Sequence, residues 1–220
     1  MRIVFISDTH GSHDKVNLPP GDVLVHSGDF TNLGRKGEID SFNDWLGKQS
    51  FEHILVSPGN HDLSFESHPE VANLLTNASA VLIDAAYEID GIKFYASPRT
   101  PRFGDWAFMY ERHLAPWEEL LPKDIDVLVT HGPPDQVLDL VPGYGNTRHV
   151  GCAPLNDWVK ANQPTIHAFG HIHESRGTAM NGQTLSINAA HGGGTYGTLA
   201  APFHGYTVDI LEDGSAILVG

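Results

Sequence analysis

Seven oxygen and nitrogen donors recur in this chain just beyond short apolar runs. Residues 2–7 lead into Asp8-Thr9-His10, residues 23–27 into Gly28-Asp29, and residues 54–57, through Pro58, into Gly59-Asn60-His61-Asp62. Residues 127–130 lead into His131, and residues 167–169 into Gly170-His171-Ile172-His173. Asp8 and His10 stand at i and i+2, as do His171 and His173. On extended backbone that spacing turns both side chains of a pair the same way. Any one of these pieces also suits an ordinary turn; it is their joint placement at the ends of apolar runs that points to metal. Two Asp, one Asn and four His exceed the shell of a single tetrahedral ion and match two ions that share a bridge. Only a carboxylate has two oxygens to divide between two ions, and Asp29, alone at the end of its run, is the expected bridge. Gly28, Gly59 and Gly170 precede donors, where a larger side chain would obstruct backbone and ion.

The elements that must position these groups are legible in outline. In open α/β sheets ligands bind beyond the carboxyl ends of strands, so five such strands lying as neighbours would converge on one spot. Between the second and third runs, Ile39, Phe42, Trp45 and Leu46 fall on one face of a helix expected over residues 38–47. Val71, Leu74 and Leu75 suggest a second short helix, and Cys152, Leu155, Trp158 and Val159 a third. Ile89-Asp90-Gly91-Ile92 is a tight hairpin signal, repeated at Asn181-Gly182 and Asp213-Gly214. The pattern predicts an α/β fold of two packed mixed sheets with helices outside. It predicts a largely parallel half early, antiparallel hairpins late, and one domain over residues 1–220.

Composition narrows the function classes. The 220 residues carry 13 Lys plus Arg against 27 Asp plus Glu, a net charge of −14 that repels a long polyanion such as duplex DNA. One cysteine, Cys152, leaves no intrachain disulfide; it reads as a small buried apolar residue rather than a reactive thiolate at a helix start. No apolar run reaches the roughly 20 residues needed to span a bilayer. Met1-Arg2 passes directly into a strand-like run without a small-residue cleavage site, so a cytoplasmic protein is expected. Fourteen histidines are far more than usual.

In this order the donors resemble the calcineurin-like metallophosphoesterase superfamily, whose pattern is Asp-x-His, Gly-Asp, Gly-Asn-His-Asp/Glu, His, Gly-His-x-His. The match extends from Asp8 to His173. It is most similar to the small metallophosphoesterase-domain-containing branch, through residues 28–34, 42–47 and 130–134, Val150-Gly151-Cys152 and residues 170–174. Some animal relatives of that branch have glycine at the position of His171; this chain keeps the histidine, which implies an intact pair of sites. The resemblance implies a four-layer αββα sandwich and two divalent transition-metal ions. Asp8, His10, Asp29 and His173 would hold one, and Asp29, Asn60, His131 and His171 the other. The mixed donors suit Mn, Fe, Co, Ni or Zn, with Mn favoured.

The reaction expected is in-line attack on phosphorus by a metal-bridging hydroxide. His61, next to a ligand and facing away from the ions, would protonate the leaving oxygen or stabilise its charge, with Asp62 fixing the ring. Asn32 stands where purple acid phosphatases carry tyrosine, and the Asp-Arg-Gly of protein phosphatases is absent. A small phosphodiester remains, and the branch resemblance implies cyclic nucleotides; a phosphomonoesterase or a non-catalytic scaffold are the alternatives. Within residues 97–112, Arg99, Phe103 and Trp106 could contact substrate, or the aromatics could cover the core; Arg148 is a further substrate candidate. The Gly192-Gly193-Gly194 segment reads as a mobile rim loop or a plain turn.

Overall fold

The computed structural model describes residues 1–143, 146–191 and 204–219; the Gly192-Gly193-Gly194 segment lies outside the described residues. In chain order the strands are β1 (Arg2–Ile6), β2 (Val23–His26), β3 (His53–Val56), β4 (Ala80–Val81), β5 (Ala85–Ile89), β6 (Ile92–Ser97), β7 (Thr100–Pro101) and β8 (Met109–Tyr110). They continue with β9 (Val127–Thr130), β10 (Leu140–Pro142), β11 (Thr147–His149), β12 (Ile166–Phe169), β13 (Gly177–Asn181), β14 (Thr184–Asn188), β15 (Tyr206–Ile210) and β16 (Ala216–Leu218). The α-helices are α1 (Lys36–Leu46), α2 (Ser64–Ser67), α3 (Trp117–Leu120) and α4 (Ala153–Asn162). Val71 and Leu74 fall in a 3-10 helix, Pro69–Leu74, rather than an α-helix.

Two large sheets form, in the orders β16-β15-β1-β2-β3-β4 and β13-β14-β12-β9-β6-β5. Period-two alternation assigns their faces. Ile3, Phe5, Val23, Val25 and Leu55 from the first sheet meet Phe94, Ala96, Val127, Val129, Ile166 and Ala168 from the second in a buried apolar layer. The alternate residues Val4, Ile6, Leu24, Ile54 and Val56 pack outward on Ile39, Phe42, Trp45 and Leu46 of α1. On the far side Tyr95 and Leu128 back onto Trp117 and onto Leu155, Trp158 and Val159 of α4. The layers are therefore helix, sheet, sheet, helix, as the sequence predicts. Strands buried on both faces read as unbroken Val/Ile/Leu runs because neither face meets water.

The hairpins are placed differently from the sequence expectation. Both sheets have parallel centres, β1-β2-β3-β4 and β14-β12-β9-β6. The antiparallel pairs β5/β6, β13/β14 and β15/β16 close the edges instead of forming a separate antiparallel half. Tight turns suffice for an edge, whereas adjacent parallel strands need long crossovers. Asp90 (φ 50°) and Gly91 (φ 80°) both adopt positive φ in the two-residue turn, as a type I′ turn requires. At the second signal the turn shifts by one residue. Asn181 stays in β13 paired to Thr184, and its side-chain amide donates to Asn156 Oδ1 at 2.9 Å, so Gly182 opens the loop.

Helix α1 starts where Glu38 gathers the backbone N–H groups of Asn32 and Arg35, each at 3.0 Å, onto its carboxylate. Phe42 from that helix stacks on Phe30 at 4.4 Å between ring centroids, one residue past Asp29. The packing of α1 thus bears directly on the loop after β2.

Candidate metal centre

The five donor-bearing strands divide three and two between the sheets. β1, β2 and β3 adjoin in one, and β9 and β12 adjoin in the other. Their carboxyl ends meet across the seam. His131 after β9 donates from Nδ1 to the carbonyl of Ser27 after β2, at 2.9 Å. The backbone N–H of His171 after β12 donates to Asp8 Oδ2 after β1, also at 2.9 Å.

The side chains converge by a route the spacing rule does not give. Asp8 (φ 57°), His10 (φ 42°), Asp29 (φ 57°) and His171 (φ 67°) all lie in the left-handed region, not on extended backbone. Left-handed kinks immediately past the strands turn the donors inward, and such conformations persist where surrounding structure holds them. Gly28, at φ 112°, could not carry a side chain without strain, and a Cβ there would run into His131 Nδ1. A Cβ on Gly59 would strike Asp29 Oδ1, and one on Gly170 would strike Asp8 Oδ2. The sequence expectation for these three glycines therefore agrees with the space available.

All seven candidate ligands come together. One ligand atom each from Asp8, His10 and His173 lie within 4.8 Å of one another, as do atoms from Asp29, His131 and His171. A third group, His10, Asp29 and His61, overlaps both. Asn60 Oδ1 lies 2.9 Å from His131 Nε2, and Asp29 Oδ2 lies 3.3 Å from that nitrogen and 3.8 Å from His10 Nε2. Asp29 thus stands between the two clusters. Ser27, absent from the sequence candidates, orients His131: its carbonyl accepts the hydrogen bond from Nδ1–H and leaves Nε2 toward Asn60 and Asp29.

The electrostatics fit a cationic occupant. Burial works against the Asp8 carboxylate, yet the hydrogen bond and charge of His173, with His131 and His10 beyond, hold it well below the usual carboxylate range. Asp29 is likewise buried and likewise held low, chiefly by His131. Against its own burial, His131 is pushed up to about 9 by Asp29. His171, by contrast, is pushed down to about 3 by burial and by the neighbouring charge of His131. Two buried carboxylates ringed by imidazoles and one amide make a donor set suited to divalent transition metals, and the glycine-cleared space around them agrees.

Asp62 requires a correction. It does not hold His61. Its Oδ2 accepts the N–H groups of Asp29 (2.9 Å) and Gly59 (2.8 Å), and its Oδ1 accepts the N–H (2.9 Å) and hydroxyl (2.7 Å) of Thr31. Wholly buried and beside Asp29, its carboxyl is pushed up to about 7, first by burial and then by the charge of Asp29. Asp62 is a knot that ties the loops after β2 and β3. His61 is oriented instead by the Asn32 carbonyl, which accepts its Nδ1–H at 2.9 Å, and by Trp106, stacked on the ring at 4.2 Å. Backbone carbonyls leave no trace in residue types, so sequence reasoning favoured the adjacent carboxylate.

A cavity of about 590 Å³ opens over the cluster, lined by Asp29, Asn60, His61, His171 and His173 and by residues further out. Phe103 and Arg148 line it, and the Phe103 ring lies 5.0 Å from the His171 ring. Arg99 does not reach it: both Nε (2.9 Å) and Nη2 (2.7 Å) are tied to Asp84 Oδ2. Trp106 supports His61 rather than lining the cavity. Arg112, not among the candidates, does line it, with its guanidinium held by the carbonyls of Gly151 (2.9 Å) and Val150 (2.7 Å). Cys152 is buried and accepts the Trp117 indole N–H at 3.2 Å, in keeping with a core residue.

The profile of the calcineurin-like phosphoesterase family matches residues 1–175. Metallophosphoesterase domain-containing protein 1 of Homo sapiens is 38% identical over 216 residues, covering 86% of this chain and 65% of the human protein. UPF0046 protein K07C11.7 of Caenorhabditis elegans is 38% identical over 207 residues, covering 86% of this chain and 69% of that protein. The chain thus spans about two thirds of the length of each of these two relatives. Among solved structures, TT1561 of Thermus thermophilus superposes with a TM-score of 0.60 at 12% identity, covering 85% of this chain and 88% of that one. A structure described as a novel archaeal phosphodiesterase superposes with a TM-score of 0.52 at 18% identity, covering 100% of this chain and 99% of that one. At these identities the two structures establish the fold.

Proposed function

The chain belongs to the calcineurin-like phosphoesterase family, and from that premise we propose that it is a metal-dependent phosphodiesterase acting on small diesters, cyclic nucleotides foremost. The observation that carries the reading is Asp29, buried between one cluster containing Asp8, His10 and His173 and another containing His131 and His171. Asp8, His10, Asp29 and His173 would hold one divalent ion, and Asp29, Asn60, His131 and His171 a second, with manganese the first ion to supply. When bound, such ions supply positive charge to a phosphoryl oxygen and acidify water at neutral pH.

The remaining work falls to the chain's own groups. His61, its Nδ1–H committed to the Asn32 carbonyl, presents Nε2, which in the imidazolium form gives its proton to the leaving oxygen or stabilises its charge. Trp106 holds that ring in plane. Phe103 offers an aromatic face in the lining of the cavity, and Arg148 a guanidinium. Among the described residues two arginines line the cavity, and Arg112 is already engaged by two carbonyls. So sparse a supply of positive charge suits the single charge of a diester better than the nearly double charge of a monoester. With ligands drawn from both sheets, residues 1–220 act as one catalytic unit in this reading. Among the described residues no helix is long and apolar enough to cross a membrane.

The test is hydrolysis of bis(p-nitrophenyl) phosphate, p-nitrophenyl phosphate and the 2′,3′- and 3′,5′-cyclic nucleotides, each with Mn²⁺ and again with chelator. Chelator-sensitive turnover of diesters is expected. Preference for the monoester would make the protein a phosphomonoesterase, and no turnover of any substrate would leave a binding scaffold.

A further inference from the structure

His149 lines the cavity and is held from behind by Asp139, a pair that the metal cluster does not explain. Asp139, fully buried, precedes β10, and His149 ends β11. The carboxylate accepts His149 Nδ1–H through Oδ1 at 2.5 Å. Through Oδ2 it accepts the N–H groups of Gly151 at 2.9 Å and Gln136 at 3.1 Å. The His149 side chain keeps 35% exposure and lines the same cavity as Asn60, His61 and His171. An imidazole held through Nδ1 by a buried, immobile carboxylate has only its Nε2 edge left to offer, which is how folds present a histidine to a ligand. Closing the hairpin does not require this pair. Leu140 and His149 already pair along the backbone, and Val150 N–H reaches the Asp139 carbonyl at 3.2 Å. The same lining carries an apolar wall, Pro101, Phe103, Val141 and Val150, together with the charged Arg112, Arg148 and Glu174.

We propose that Asp139 and His149 form a substrate-orienting dyad. His149 is a specificity-determining residue that hydrogen-bonds the ester group not expelled, and Asp139 is a positioning residue that acts through it. The inference rests on the phosphodiesterase reading above and deepens it. The apolar wall receives the flat face of a nucleoside, and Nε2 reaches a polar atom on that nucleoside's edge.

Two diesters with one leaving group isolate the effect: methyl p-nitrophenyl phosphate and p-nitrophenyl thymidine 5′-phosphate, both assayed with Mn²⁺. His149→Gln should raise KM for the thymidine ester about tenfold with kcat unchanged and the methyl ester unaffected. Asp139→Asn should move the same KM in the same direction, because the asparagine NH2 either opposes one of the three donors or turns His149 to the tautomer whose Nδ1 accepts, which changes what Nε2 offers. The calorimetric affinity for thymidine 5′-phosphate should fall by the same factor. Thermal melts verify folding; should Asp139→Asn not fold, His149→Gln decides alone. An equal loss on both diesters, a loss in kcat alone, or no change overturns the dyad. A wild-type protein that hydrolyses neither diester yet binds the nucleotide through His149 overturns the phosphodiesterase reading and supports the dyad. Neither turnover nor His149-dependent binding overturns both.

Discussion

Asp29 is hydrogen-bonded to both His61 and Asp62, and each of the three is bound into the site differently. Asp29 Oδ1 accepts the His61 backbone N–H at 2.7 Å while Oδ2 faces His131 and His10. Its loss removes the group shared by both clusters. His61→Ala removes only a ring held at the cavity wall, and Asp62→Ala leaves the buried N–H groups of Asp29, Gly59 and Thr31 without an acceptor. Three outcomes follow. Asp29→Ala loses bound metal, measured by elemental analysis. His61→Ala keeps metal and melts within about 1 kcal/mol of wild type, but loses about a hundred- to ten-thousandfold in turnover. Asp62→Ala loses about 3 kcal/mol or more of stability in urea titration. Metal loss from the His61 variant, or a fully stable Asp62 variant, contradicts this division of roles.

At the scale of elements, α1 connects core packing to the site. Phe42 stacks on Phe30 and Trp45, at 4.4 and 5.7 Å, and meets the His26 ring edge-on at 5.2 Å, so it touches both ends of the turn that delivers Asp29. Phe42→Ala should cost about 3–5 kcal/mol. It should also weaken Mn²⁺ binding, because the loop after β2 loses its backing; calorimetric titration of the ion tests this. Unchanged metal affinity in a destabilised variant would show that Asp62, rather than α1, fixes that loop by itself. The apolar face of α1 was legible in the sequence because its period is local. The strand runs and the Asp90-Gly91 turn were legible for the same reason. The one-residue shift at Gly182 was not, because the tie from Asn181 to Asn156 joins residues from different elements.

For the whole molecule, charge and buried histidines set the response to conditions. A net charge of −14 repels duplex DNA, and linear duplex should stay intact where a small diester is turned over. His167 and His26 are fully buried, and burial lowers each from 6.5 to about 3. His167 Nε2–H donates to Thr130 Oγ1 at 2.8 Å, and among the described residues its Nδ1 has no partner that could accept a proton's hydrogen bond. Above about 6.5 neither folded nor unfolded chain protonates these rings, and stability is level with respect to them. From there down to about 3 the unfolded chain takes up protons that the folded one refuses, so stability falls with falling pH. The slope is about 1.4 kcal/mol per pH unit for each ring. His167→Leu should remove one ring's share of that slope in urea midpoints measured from about pH 7 to 4; an unchanged slope would contradict a neutral buried His167.

The sequence by itself determined the donor types, their order, and the apolar runs that end in them, because residue identity and short-range period are local properties of a chain. It therefore also determined the layered sheets and the glycines that leave room around Asp8, Asp29 and His131. Only the tertiary structure decided the three-and-two division of strands across the seam, and the left-handed kinks that aim Asp8, His10, Asp29 and His171. It alone decided that Asn32 rather than Asp62 holds His61, that Arg99 goes to Asp84, and that His149 is clasped by Asp139. Each of these depends on backbone carbonyls, on φ angles or on contacts between distant segments. Such features are fixed by which surfaces pack together, and no local spacing encodes them.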